Sequence, residues 1–409
     1  MIDIRLAREH PRELRQALER KGAGELLDQL LLADASWREL TAAVDELRGR
    51  TRPKAKPGPE ELVRLQADKD RLKGAEAELA EASEHRAELL GNIPNPPLAD
   101  VPDGTTDDDA VELRRVGEPP RFDFEVKDHV ALGGFDLDRG ARVAGSRFVY
   151  RMGKVALLEL ALYRYALDHL VGRGFEPVLP PVMVREEAMY GTGFLPTEEP
   201  NLYRVEPDGL YLTGTSEVAL ASIHAGELLD LAEVPRRYAG YSTCFRREAG
   251  AAGRDTRGVF RVHQFDKVEM YSYVEPADSA AEHERIVAIE EEIVGSLGLA
   301  YRVVNTAAGD LGPSAAKKYD IEAWIPSQER YREITSCSNT TDYQARRLHA
   351  RYRDSRGQPR VLHTLNGTAM TARFLIALME SNQNAAGAVT VPELLWRYGA
   401  PEALDPRPG

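Results

Sequence analysis

Cysteine is nearly absent: Cys244 and Cys337 are the only two among 409 residues. So few exclude a disulfide scaffold and a cysteine-built zinc site, so no zinc is expected. They fit a reducing, cytoplasmic setting. No uncharged apolar run approaches the ~18 residues of a membrane-spanning helix. The run Phe374–Met379 is short and reads as buried helix or strand. The opening MIDIRLAREHPRELRQALERKG is too charged for a secretory signal. Walker and GxGxxG phosphate loops are missing, as are HExxH and a nucleophile elbow. An enzyme of this sequence therefore uses neither a histidine-bound metal nor a familiar covalent nucleophile. Positive charge is in deficit, with 53 Lys+Arg against 66 Asp+Glu and a net charge of −13. That excludes a protein coating nucleic acid with its whole surface, but not a local basic patch.

What is present divides in two. Residues 1–104 are rich in Leu, Ala, Glu and Arg, and residues 105–409 alternate strand-like and helix-like stretches. In the first part, Leu30, Ala33, Trp37, Leu40, Val44 and Leu47 are spaced three and four apart. Leu65, Leu72, Ala75, Leu79, Ala82, Leu89 and Ile93 follow the same spacing. Such a/d patterns place one apolar seam on each of two helices. Pro53, Pro57 and Pro59 force a turn between them, so an antiparallel two-helix coiled-coil arm is expected, its tip at about 49–59. Helices of a larger bundle would show the same seams. Arg48, Arg50, Arg52, Lys54 and Lys56 crowd the tip with no acid between them. A solvated loop is the plain reading of such a cluster; on an acidic protein it also reads as a phosphate-contacting end. NIPNPPLADVPDG (residues 92–104) is a proline-rich linker, and TTDDDAVE after it reads as an exposed acidic loop.

The second part reads as α+β, an antiparallel β-sheet flanked by helices. Helices are expected at Leu157–Leu170, Ala280–Leu297 and Ala372–Asn382. Strands are expected at Leu210–Leu212, Arg237–Phe245, Phe260–Tyr273, Ala300–Asn305, Ile321–Ile325 and Val361–Leu365. GFEPVLPPVMV (174–184) reads as a strand broken by prolines, at a sheet edge or an interface. Charges interrupt these strands at Arg246, Arg247 and Glu248, at Asp266, Lys267 and Glu269, and at Glu333, while Arg373 opens an apolar helix. One buried charge usually marks a core ion pair. Four clusters suggest a cavity whose ionic groups stay unmatched until a charged ligand arrives. Arginine suits phosphate and carboxylate, and acids suit an amine, a hydroxyl or magnesium. Read alone, Phe265 is equally a core ring, and Thr215 and Thr368 are equally turn or capping residues. Cys244 and Cys337 read as small buried residues, since no activating partner is visible.

These residues carry a resemblance. YSTCFRREAG, GFEPVLPPVMV and LNGTAMTAR resemble motifs 2, 1 and 3 of class II aminoacyl-tRNA synthetases. TSE (215–217), FRRE (245–248), RVHQFDKVEM (261–270), EITSCSN (333–339), LNGT (365–368) and the arm followed by IPNPP are similar to bacterial-type seryl-tRNA synthetases. The resemblance spans nearly the whole chain. It implies a tRNA-binding arm domain over 1–104 and a catalytic domain over 105–409. The implied reaction joins serine to ATP as seryl-adenylate, then passes the seryl group to the 3′ end of serine tRNA, and of selenocysteine tRNA where present. It implies that Arg246 binds the α-phosphate and the serine carboxylate. Glu248 would hold the adenine amino group, Phe265 stack on adenine, and Arg373 cover its other face and the γ-phosphate. Glu333 and Ser336 would carry Mg2+. Thr215 and Glu217 would fix the serine amine, and Glu269 and Thr368 would read its hydroxyl. Ser216 joins the serine site by the same resemblance, and Arg247, Val262, Ile334 and Thr335 join the ATP site. The tip cations would grip the tRNA, and motif 1 implies a homodimer.

The chain also departs from the pattern. Its motif 3 loop, Thr368–Arg373, is a residue shorter, and its arm is shorter with a proline-rich tip. These departures leave room for a specialised second copy that tolerates a serine-mimicking inhibitor. A same-fold ligase charging a carrier protein is the alternative activity, and the retained arm argues against it. A non-catalytic homologue is opposed by the retained charges.

Overall fold

The heptad segments, save the capping Ile93, lie within two long helices of the first of two units, Met1–Pro96 and Pro97–Gly409, in the computed structural model, which describes residues 1–52, 58–249 and 258–406. The first unit contains α1 (Ile4–Glu9), α2 (Pro11–Glu19), α3 (Gly24–Arg50) and α4 (Pro59–Asn92). Along α3 the seam residues Leu30 and Val44 are buried, and Trp37 Nε1 donates to Ser83 Oγ of α4 at 3.0 Å. Arg50 of α3 meets Asp68 of α4, while Arg8 and Arg86 both reach Asp34, so α3 and α4 run antiparallel. Pro59 sits in the first turn of α4, where its missing N–H costs nothing. The sequence reading names no element before residue 30. Helices α1 and α2 are short and densely charged; Ile4 and Ala7 on α1 and Leu14 and Leu18 on α2 face the core, a stripe of only two residues each.

Asp34 is the polar centre of this unit. Its carboxylate is 1% exposed and accepts from Arg8 at 2.7 and 2.8 Å and from Arg86 at 2.7 Å. Burial alone would push its pKa up; the bonds and charges of Arg8 and Arg86 outweigh it and hold the pKa at about 2. The contribution to stability is therefore complete above the ordinary aspartate range and is lost as pH falls from there through about 2. Breaking a buried charged network typically costs ~3–5 kcal/mol. Arg8 and Arg86 are 31% and 18% exposed and can recover water. Asp34→Ala is accordingly expected to destabilise this unit by about 2–3 kcal/mol. A urea midpoint unchanged by the substitution would refute it.

The second unit is built on an eight-stranded sheet. Its strands are β1 (Val111–Val116), β2 (Glu176–Val178), β3 (Arg236–Phe245), β4 (Gln264–Val274), β5 (Tyr301–Asn305), β6 (Lys317–Ile325), β7 (Arg330–Thr341) and β8 (His363–Thr371). The order is β1-β5-β6-β7-β8-β4-β3-β2, antiparallel except where β2 joins β3. Helices α5 (Lys154–Gly172), α6 (Ser279–Ser296) and α7 (Ala372–Ser381) supply buried side chains to the large apolar core beside it. The chain is thus α+β, as its pattern predicts.

Two local readings are refined. The proline break in GFEPVLPPVMV is complete, with Glu176–Val178 at the edge of the eight-stranded sheet. Pro180 and Pro181 separate β2 from Met183–Arg185, which joins a different, three-stranded sheet. The acidic segment near residue 110 leads into edge strand β1, whose residues are all exposed, so burial marks neither of its faces.

Candidate active site

Alternation in β4 sends Phe265, Lys267 and Glu269 to one face, while Val268 and Met270 enter the core. On the facing strands this alternation is interrupted twice. The β6–β7 register slips by one residue at Ile334, between the pairs Glu322–Glu333 and Ile321–Thr335. Residues three apart on a strand normally face opposite ways, so the bulge brings Glu333 and Ser336 to the same face. A second slip at Ala369 sets Thr368 directly opposite Glu269.

These strands and the loops beside them line a cleft of about 510 Å3. It gathers Thr215, Glu217, Arg246, Glu248, Val262, Phe265, Glu269, Glu333, Ile334, Thr335, Ser336, Thr368 and Arg373. Ser216 and Arg247 do not line it. The Ser216 hydroxyl donates to the Gly240 carbonyl at 3.4 Å, and Arg247 lies 5.8 Å from the Tyr203 ring. Sequence motifs name neighbours without saying where each side chain points: Ser216 sits at the start of the short helix Glu217–Ala221, in helical backbone, and turns to Gly240. At the arm tip, Arg48 pairs with Glu76 and Arg50 with Asp68, each at 2.9 Å, and Arg52 is exposed. Lys54 and Lys56 lie outside the described residues.

One group of polar side chains surrounds Glu217. Its Oε1 accepts from Gln344 Nε2 at 2.7 Å and from Asn366 Nδ2 at 2.9 Å. Burial pushes its carboxyl pKa up and the charge of Glu269 adds to this; Gln344, Lys267 and Arg246 oppose, leaving it at about 7. Thr215 caps as well as lines, since its hydroxyl accepts from the Glu217 N–H at 3.2 Å. Glu269 Oε2 meets Lys267 Nζ at 2.5 Å and accepts from the Thr368 hydroxyl at 3.2 Å. A second group holds Arg373, which pairs with Glu333 at 3.1 Å and lies 4.8 Å from the Phe260 ring. Burial would raise the Glu333 pKa, but Arg373 and Lys318 bring it down to about 2. Glu248 accepts from Arg261 at 2.5 Å and sits at φ +53, a strained conformation for a non-glycine residue.

The expectation of unmatched charges is therefore corrected. Lys267 with Glu269, Arg373 with Glu333 and Arg261 with Glu248 are matched within the protein. Arg246 and Glu217 are the exceptions: Glu217 is held by the amides of Gln344 and Asn366, and Arg246 is the one cleft cation named here without an acid. Its Nε donates to the Gly214 carbonyl at 3.1 Å and its guanidinium lies 5.2 Å from the Phe265 ring, with no carboxylate partner among the described residues. Sequence reasoning left Phe260, Arg261, Gln344 and Asn366 out of the site and gave Lys267, one of its cavity charges, no role. Lys267 had a signal, its period-two spacing with Phe265 and Glu269. Gln344 had none, since it reaches Glu217 from a distant helix. Cys244 and Cys337 are both buried, with thiol pKa values raised by burial.

Comparison with known proteins identifies the family. The family described as "tRNA synthetase class II core domain (G, H, P, S and T)" matches residues 203–382, and "Seryl-tRNA synthetase N-terminal domain" matches residues 1–97. Serine–tRNA ligase of Leifsonia xyli is 49% identical over 421 residues, covering 99% of each chain. That of Nocardia farcinica is 48% identical over 419 residues, covering 99% of this chain and 100% of its own. The chain belongs to the seryl-tRNA synthetases. The crystal structure of seryl-tRNA synthetase from Pyrococcus horikoshii complexed with ATP matches with a TM-score of 0.93 and 39% identity over 100% of both chains. The cytoplasmic serine–tRNA ligase of Naegleria fowleri in complex with AMP matches at 0.90 and 34%, covering 100% of this chain and 99% of its own. A seryl-tRNA synthetase is a class II enzyme that binds ATP and ligates serine to tRNA, and that is the activity of this chain. Among the described residues no helix is long and apolar enough to cross a membrane.

Proposed function

We propose that the cleft divides its substrates between its two groups of side chains. Serine binds at the Thr215–Glu217–Glu269–Thr368 end, its ammonium on Glu217 and its hydroxyl between Glu269 and Thr368. ATP binds at the other end, with adenine against Phe265, its amino group on Glu248, and its phosphates between Arg246 and Arg373. The observation carrying this reading is Arg246, a cation without an acid partner, set between an acidic amine-binding end and an aromatic end. The serine carboxylate is ionised at neutral pH, so its attack on the α-phosphate needs alignment and positive charge rather than a base. The donor set also suits Mg2+: Glu333 stays ionised, and the bulge brings the Ser336 hydroxyl to the same face. Hard oxygen donors of this kind hold magnesium, which when bound neutralises phosphate charge.

In the same reading the arm grips the long variable arm of serine tRNA. The ion pairs of Arg48 and Arg50 are exposed and worth at most ~1 kcal/mol each, so RNA phosphates can replace their acids. Replacing Arg48, Arg50, Arg52, Lys54 and Lys56 with Ser is expected to raise the tRNA KM by about tenfold or more while sparing serine-dependent ATP–pyrophosphate exchange. Loss of exchange would reject this division of labour.

The chain would act in the cytoplasm as a homodimer. Tyr150, Met152, Leu157, Leu160, Leu179 and Met183 are large exposed apolar residues on α5 and its flanking segments, where motif 1 lies. Sedimentation should give about twice the 45.4 kDa chain mass. A species of single-chain mass at micromolar concentration would overturn the dimer.

A further inference from the structure

A buried polar relay lies behind the ATP end of the cleft. The Val259 N–H donates to His129 Nε2 at 3.1 Å, so that nitrogen is the acceptor and Nδ1 carries the hydrogen. Nδ1 lies 2.8 Å from Glu380 Oε1 and donates to it. Glu380 is fully buried and also accepts from the backbone N–H groups of His129 and Ser327, each at 3.1 Å. The segment bearing His129 is tied down a second time. The Gln383 side chain accepts from the Lys127 N–H and donates to the Lys127 carbonyl, both at 2.9 Å. Gly258, at φ +80, completes the approach, since a Cβ there would lie 2.6 Å from His129 Nε2. A neutral histidine with two satisfied nitrogens often serves only the core. Here its second bond ends on a segment that shapes the cleft.

That segment is Val259–Val262, all four residues of which line the cleft. Phe260 lies beneath Arg373, Arg261 holds Glu248, and Val262 completes the wall. Helix α7 meets it once directly and once through His129. Arg373 in its first turn lies over Phe260, and Glu380, seven residues and about 10 Å further along the same face, holds His129. The serine-end groups Thr215, Glu217, Glu269 and Thr368 sit on other elements.

We propose that His129, held by Glu380, is a positioning residue that clamps Val259–Val262 and thereby sets the nucleotide end of the cleft. This rests on the assignment of ATP to the Phe265–Arg373 end. The two nitrogens can be tested separately. His129→Asn keeps a donor for Glu380 but offers Val259 no acceptor, whereas His129→Gln places an amide oxygen where Nε2 stood. In pyrophosphate exchange by the full chain, His129→Asn is expected to raise the ATP KM about tenfold, equal to ~1.4 kcal/mol, with the serine KM changed less than about twofold. His129→Gln is expected to recover most of the loss. An unchanged ATP KM, an equal rise in both constants, or no recovery by Gln overturns the clamp. If His129→Asn does not fold, amide exchange of Val259 decides: slow exchange in the native chain that quickens in Glu380→Gln supports the clamp, and fast exchange in the native chain overturns it. Phe265→Ala serves as control. If it leaves the ATP KM unchanged, the ATP assignment falls and the proposal with it. If it raises the ATP KM while His129→Asn does not, only the clamp falls.

Discussion

Arg246→Ala is expected to slow serine-dependent ATP–pyrophosphate exchange by about 10²–10³-fold, the usual loss when one preorganised donor to developing charge is removed from a water-poor site. The magnitude follows from what Arg246 lacks. Every cation-to-carboxylate pair in the cleft already has internal compensation, so removing Lys267 or Arg261 would also release an acid and confuse the result. Arg246 is held by one carbonyl and one aromatic face, so alanine leaves no orphaned carboxylate behind. Its loss should therefore fall on the reacting phosphate rather than on the fold. Arg246→Lys keeps the charge but not the planar fork, and should recover only part of the rate. A rate within about tenfold of the native one in Arg246→Ala would show that the transition state does not lean on this side chain.

How far the sequence disclosed this site depends on which physical signal each residue leaves. The arm was legible because a seam repeated every three and four residues survives as Leu30, Val44 and Leu89 in the buried interior. Strands β3 and β4 were legible because one face is apolar. Edge strand β1 was not, since both its faces are exposed. The site residues were recognisable by type and motif, but two features that assemble them were invisible. The bulges at Ile334 and Ala369 decide which side chains share a face, and a register slip has no one-dimensional signature. Ion pairing was hidden for a similar reason: Arg373 finds Glu333 across forty residues, and the sequence displays charges without their distances. Gln344 and His129 were silent because they act through other residues.

Glu217 has the clearest pH signature. Its carboxyl, raised to about 7 chiefly by burial, must be ionised to attract an ammonium. The serine KM is therefore expected to be lowest near pH 8, while the substrate amine is still an ammonium, and to rise as pH falls through 7, approaching about tenfold per unit once Glu217 is mostly protonated. Glu217→Gln should flatten that profile and raise the serine KM by about 10–100-fold at pH 8, since a hydrogen bond to a charged partner is worth ~1.5–3 kcal/mol. Stability should move the other way. A carboxyl whose pKa is higher folded than unfolded stabilises the fold while protonated, and that contribution is lost as pH rises from the ordinary glutamate value through about 7. At pH 8 the native chain thus bears a buried charge that glutamine removes, and Gln344 and Asn366 can still donate to the glutamine oxygen. The variant should bind serine poorly yet melt no lower than the native chain. A lower melting temperature together with an unaltered pH profile would make Glu217 a structural residue rather than the receptor for the amine.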